Sequence, residues 1–140
     1  MKLYVMDTDI MGFAFQQHPK VLERIQNLPE DDLIVTTIIT FGEDLSGWMP
    51  ACRRAPDGNS RARAYARLQR GLDFYRRWVC LPFDAAAAEI FDGLRTQKLR
   101  IGTNDLAIAA ISLSAGAILL SRNAGDFGRI PNLLLEDWTK

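Results

Sequence analysis

Lys2-Leu3-Tyr4-Val5-Met6-Asp7-Thr8-Asp9 is the stretch that decides the fold. Residues 2–6 read as a short buried strand, and the chain meets an acid at the point where the strand ends. Working outward, residues 9–16 and 20–28 have helical character, with Pro19 starting the second segment. Residues 33–37 are β-branched and apolar, hence a strand. A helix follows over 41–49. Residues 50–60, with Pro50, Asp57-Gly58 and Asn59-Ser60, give the clearest loop signal. Residues 61–78 form a long helix, with Tyr65, Leu68, Leu72, Tyr75 and Val79 as one apolar stripe. Val79 opens a short strand to Leu81, and Asp84 caps an alanine-rich helix. Thr103 starts a helix that runs to Ser114. Residues 117–120 form a strand, 123–127 a helical turn, and 133–135 a last strand. Strands separated by helices require a parallel sheet covered on both faces. The expected fold is therefore α/β, a three-layer α/β/α sandwich with a central, mostly parallel sheet. In such sheets ligands sit at the carboxyl ends of the strands.

The chain has 140 residues, 48% hydrophobic and 24% charged. That length suits one domain spanning residues 1–140, and the balance excludes intrinsic disorder. No apolar run approaches the roughly 20 residues needed to cross a bilayer. Asp7 arrives too early for a signal-peptide core. Cys52 and Cys80 lie far apart, which is neither a disulfide framework nor a CxxC site, so a reducing cytoplasm is expected. His18 is the only histidine and precedes Pro19. Ser-His-Asp and Cys-His mechanisms hang on that one residue, and a His/Cys zinc site lacks ligands. Neither GxxxxGK[ST] nor GxGxxG occurs. Asp126-Phe127-Gly128 imitates a kinase motif on a chain too short for a kinase.

Carboxylates remain. Asp7 follows the first strand, Glu43 lies just after the second, Asp105 opens a helix, and Asp126 follows the strand 117–120. Each has a local explanation. Thr40-x-x-Glu43 is a capping box and Asn123-x-x-Asp126 resembles one. Asp105 suits a first helical turn, and Asp7 or Asp9 an N-cap. Taken together, at least three lie on the same edge of the sheet. Clustered carboxylates repel unless a proton or a cation sits between them. Oxygen-only ligands select Mg²⁺ or Mn²⁺, which support phosphoryl transfer.

Four stretches now stand in order: Val5-Met6-Asp7-Thr8-Asp9, Ile39-Thr40-Phe41-Gly42-Glu43, Ile101-Gly102-Thr103-Asn104-Asp105-Leu106-Ala107-Ile108-Ala109-Ala110, and Ser121-Arg122-Asn123-Ala124-Gly125-Asp126-Phe127. In order and spacing the chain resembles PIN-domain ribonucleases, most nearly the VapC-type toxins of prokaryotic toxin–antitoxin pairs. The resemblance covers nearly the whole chain, and 101–110 is its most specific part. It implies Mg²⁺-dependent (or Mn²⁺-dependent) in-line hydrolysis of RNA to a 5′-phosphate and a 3′-hydroxyl. Asp7, Glu43, Asp105 and Asp126 match the acidic quartet. Asp7 and Asp105 would be the firmest metal ligands, with Glu43 and Asp126 binding directly or through water. Ser121 and Asn123 match positions that support the site or touch substrate, and Asp9 ranks second. The resemblance also implies a cognate antitoxin and a homodimer. Gly42 and Asp44 depart from it, standing where such toxins usually carry apolar residues.

Between Arg53 and Arg77 stand eight arginines and two acids, a local charge of +6 on a chain of net charge zero. Arg63, Arg67, Arg70 and Arg77 fall opposite the apolar stripe. A solvated face explains them, and so does contact with RNA phosphates or with acids on an antitoxin. Trp48 and Trp78 are read as core, His18 as a surface residue at a helix start. Two other functions fit parts of the sequence. Asp7-x-Asp9 is also the nucleophile motif of haloacid-dehalogenase-type phosphatases, although Ile10 stands where they carry glycine and no lysine lies between Lys20 and Lys98. A catalytically inactive RNA- or protein-binding module of the same fold is the second, and it would need none of the four acids.

Overall fold

The computed structural model describes residues 1–140. Its elements run β1 (Leu3–Met6), α1 (Thr8–Phe15), α2 (Pro19–Gln26), β2 (Leu33–Thr37), α3 (Ile38–Arg54), α4 (Gly58–Tyr75), β3 (Cys80–Leu81), α5 (Ala85–Thr96), α6 (Thr103–Ser114), β4 (Ile118–Leu120), α7 (Ala124–Phe127) and β5 (Leu134–Glu136). All strands pair in parallel, in the order β3-β2-β1-β4-β5. The winding reverses between β1 and β4, where Met6 pairs with Leu120. A crevice opens at the carboxyl ends of two such strands because their connections leave in opposite directions.

The period of two along β1 builds the three layers. Val5 packs with Leu106, Ile108, Phe127 and Leu119 on one face. Tyr4 and Met6 point the other way, into a core with Ile10, Val21, Tyr75 and Trp138. Helices α5, α6 and α7 cover the first face, and α1 to α4 the second. α6 is buried continuously from Leu106 to Ser112, which is how a helix wedged against a sheet must read.

Two expectations need correction. Residues 50–60 are not a loop: α3 continues through Pro50 to Arg54 and α4 begins at Gly58. Proline deprives a helix interior of one hydrogen bond, a cost of about 3 kcal/mol. Here Cys52 is fully buried, and Trp48 lies 6.0 Å from Tyr75 of α4. That packing holds the helix together across Pro50, and Arg53 and Arg54 complement its carboxyl end.

The apolar stripe on α4 holds only in part: Tyr75 is buried and Leu68 half-buried, but the other three members are exposed. Tyr65 is 44% exposed, Leu72 36%, and Val79, beyond the helix, 62%. The buried positions are Ala64, Gly71 and Tyr75. A Cβ on Gly71 would stand 2.4 Å from the Trp48 ring. α3 and α4 approach so closely that small residues, not the large ones one position away, face the contact.

Candidate active site

Asp7 extends the β1–β4 pairing by one step: its N–H donates to the Leu120 carbonyl at 3.1 Å. Its side chain turns back to cap α1, Oδ1 accepting from Ile10 N–H at 2.9 Å. The residue is only 5% exposed. Burial pushes its carboxyl up to about 6, the Asp9 and Asp105 charges push the same way, and the Ser121 hydroxyl and Ile10 amide oppose them.

Asp105 lies in the first turn of α6, whose N-cap Gly102 offers no side-chain bond. Partial burial raises its carboxyl, and Glu43, Asp126 and Asp9 each raise it further. Asp105 thus feels the charges of Glu43, Asp126 and Asp9, and Asp7 feels those of Asp9 and Asp105. Asp9 itself is exposed and stands 4.0 Å from Arg122.

Glu43 is not half of a capping box. β2 runs into α3 without a loop, so the N-cap is Thr37, whose hydroxyl accepts from Thr40 N–H. Glu43 lies inside α3 and accepts from the Thr8 hydroxyl at 2.6 Å. Gly42 faces solvent. Asp44 turns to α4, accepting from Tyr75 Oη at 2.5 Å, and burial raises its carboxyl.

Asn123 caps α7 as its motif suggests, accepting from Asp126 N–H at 3.2 Å and donating from Nδ2 to Asp126 Oδ2 at 2.9 Å. Arg129 donates to Asp126 Oδ1 at 2.6 Å. The Asn123 bond and the Arg129 charge hold the Asp126 carboxyl below its usual value. Ser121 is buried beside Asp7, and its Oγ accepts from Asn123 N–H at 2.9 Å.

The donor set is oxygen only. His18, the sole histidine, is spent as the N-cap of α2, its Nδ1 accepting from Val21 N–H. No three histidine, cysteine or acidic side chains stand close enough together to cage an ion. This arrangement fits Mg²⁺, which takes one or two carboxylates and keeps several waters, better than a cation that needs a full protein cage.

Arg63, Arg67 and Arg70 are exposed and form no ion pair. They serve two grooves. Arg63 and Arg67 line one at the α3–α4 tip with Arg54. Arg70 lines another between α1, α2 and α4. The acids line neither. The sequence did not single out Thr8 or Arg122. Arg122 sits between Ser121 and Asn123, its guanidinium 4.7 Å over the Phe13 ring. An arginine flanked by two residues of a matched motif was the available signal.

A five-stranded parallel sheet of this order, with acids at its reversal point, places the chain among the open α/β domains that bind ligands at that edge. The PIN domain family matches residues 4–133. Ribonuclease VapC2 of Rickettsia felis is 31% identical over 144 residues, covering 99% of each chain. Ribonuclease VapC1 of Haemophilus influenzae is 30% identical over 139 residues, again 99% of each. The solved structure of VapBC-1 from nontypeable Haemophilus influenzae superposes with a TM-score of 0.78 at 26% identity over 99% of both chains. The chain belongs to the PIN-domain family and is a nuclease of the VapC ribonuclease type. That membership sets aside the phosphatase alternative.

Proposed function

We propose that residues 1–140 act as one metal-dependent endoribonuclease domain, the toxin of a toxin–antitoxin pair working in the cytoplasm. The observation that carries the site is Asp105, raised by its partial burial and, beyond that, by the charges of Glu43, Asp126 and Asp9. Asp7 and Asp105 would hold Mg²⁺ or Mn²⁺, with Glu43 and Asp126 joining directly or through water. Bound there, the cation supplies water activation and charge neutralisation at a phosphoryl group. The chain's own residues do the rest. Asp7, rooted between β1 and β4, fixes the site to the sheet. Glu43 brings a second charge from α3. Ser121 and Asn123 hold the β4 end of the site and meet the substrate. Arg63, Arg67 and Arg70 bind RNA phosphates away from the cleaved bond, where each contact adds salt-dependent affinity.

The antitoxin reading rests on the groove between α1, α2 and α4. It encloses about 390 Å³ and is lined by Phe15, Leu22, Ile25, Phe74 and Trp78, with Arg70 and Arg77 among its polar residues. Trp78 leaves its buried Nε1–H without an acceptor. An apolar antitoxin segment carrying acids satisfies both the apolar wall and the arginines. The assembly would be a homodimer of toxin chains, each bound by antitoxin. No helix is long and apolar enough to cross a membrane.

The test is cleavage of single-stranded or looped RNA by the purified protein. Mg²⁺ or Mn²⁺ should support it and EDTA should stop it. Asp7→Asn and Asp105→Asn should each lose most activity while still binding RNA. Full activity of either variant at saturating metal would overturn the site. RNA binding without metal-dependent cleavage by the wild type would favour the inactive module instead.

A further inference from the structure

Glu43 takes part in none of the ion pairs of the structure. What orients it is a row of hydroxyls. Thr8 Oγ1 lies 2.6 Å from Glu43 Oε1 and 3.4 Å from Thr40 Oγ1. Thr40 Oγ1 lies 3.2 Å from Thr37 Oγ1, which accepts from Thr40 N–H at 3.1 Å.

A hydroxyl carries one proton, and this fixes the direction of the row. The Thr8 proton goes to Glu43, the nearer acceptor and the charged one. Thr40 then supplies the proton in its contact with Thr8, and Thr37 supplies the one in its contact with Thr40. The donors run Thr37 to Thr40 to Thr8 to Glu43. Thr37 and Thr40 are fully buried, so water does not compete for their protons. The row begins at the N-cap of α3, crosses to the first residue of α1, and returns to α3 at the site.

We propose that Thr8 is the positioning residue for Glu43. It holds one carboxylate oxygen and would leave the other free to reach, directly or through water, a cation held by Asp7 and Asp105, a role that rests on the reading of Glu43 as a site acid. A partner of this kind sets ligand orientation, and its loss typically weakens metal binding or activity about 10- to 100-fold.

Thr8→Val keeps the shape and the β-branch and removes the donor. Two readouts are needed: Mn²⁺ binding to the metal-free protein by electron paramagnetic resonance, and kcat and KM on RNA. The expected result is Mn²⁺ affinity about 10- to 100-fold weaker, a lower kcat and an unchanged KM. Thr8→Ser should restore both values. In a Glu43→Gln background, Thr8→Val should add nothing. If Thr8→Val does not fold, Thr8→Ala carries the same test. Wild-type Mn²⁺ affinity and kcat in the hydroxyl-free variant, with Glu43→Gln inactive, would overturn the positioning role and leave the site reading intact. Wild-type behaviour of Glu43→Gln itself would overturn both.

Discussion

Replacing Asp7 by asparagine should make the metal-free protein more stable at neutral pH. The carboxyl stands near 6 in the fold because it is buried beside Asp9 and Asp105. In the unfolded chain it returns to about 3.9. Below that value the group is protonated in both states and costs nothing. As pH rises through the unfolded pKa the unfolded state ionises first, and the fold begins to lose stability. The loss is complete above the folded value. Two units at 1.36 kcal/mol each make it about 3 kcal/mol at pH 7.5. Asn caps a helix as well as Asp does, so the Ile10 bond survives. Chemical denaturation of wild type and variant from pH 3.5 to 8, in EDTA, isolates the effect as a difference. The variant should match or fall below wild type near pH 4 and exceed it by about 1–3 kcal/mol above pH 7. In melting temperature that is on the order of 5–10 °C. Mg²⁺ or Mn²⁺ should then raise the wild type more than the variant. A difference that does not change with pH, with no metal response in wild type, would refute the reasoning and leave Asp7 as an ordinary ionised cap.

Asp105→Asn should also melt higher without metal at neutral pH, since its carboxyl too is raised. A pure helix-cap role predicts the opposite sign, a loss of about 0.3–1 kcal/mol, and a calorimetric scan distinguishes the two. Replacing Arg63, Arg67 and Arg70 together by alanine should lower the slope of log K against log salt by about 2, near 0.7 per phosphate on a single strand. An unchanged slope with loss of antitoxin binding would assign these arginines to the partner. Gly71→Ala drives a methyl into the Trp48 ring and should destabilise the α3–α4 hairpin by about 1–3 kcal/mol in urea unfolding.

The strands and α6 were legible because burial on both sides leaves apolar runs that few other arrangements explain. Residues 33–37 and 103–114 match β2 and α6 end for end. The sequence misled where packing outweighed a local signal. Pro50 reads as a breaker, yet Cys52 and Trp48 keep α3 whole. On α4 the large residues Tyr65 and Leu72 draw the eye, yet the tight contact selects Ala64 and Gly71. The Thr8–Thr40 contact was invisible for a different reason. It joins residues 32 apart, and no periodicity relates them.

In the sequence, capping and catalysis compete as explanations for each acid. In the fold only Asp7 of the four is a cap, and there capping does not exclude a metal role, because a carboxylate offers about four lone-pair sites. Asp7 spends Oδ1 on Ile10 and retains a buried charge beside Asp105. Glu43 spends Oε1 on Thr8. Asp126 differs, since Arg129 holds its Oδ1 and Asn123 its Oδ2. Its charge is already compensated, which is why its carboxyl is lowered where those of Asp7 and Asp105 are raised. A cation gains most where negative charge is least compensated. On the proposed function, Asp7 and Asp105 would therefore meet a cation first and Glu43 next. Asp126 would act through water while Arg129 stays in place, so Arg129→Ala should strengthen Mn²⁺ binding. Weaker binding in that variant would mean that the arginine holds Asp126 in its metal-binding position.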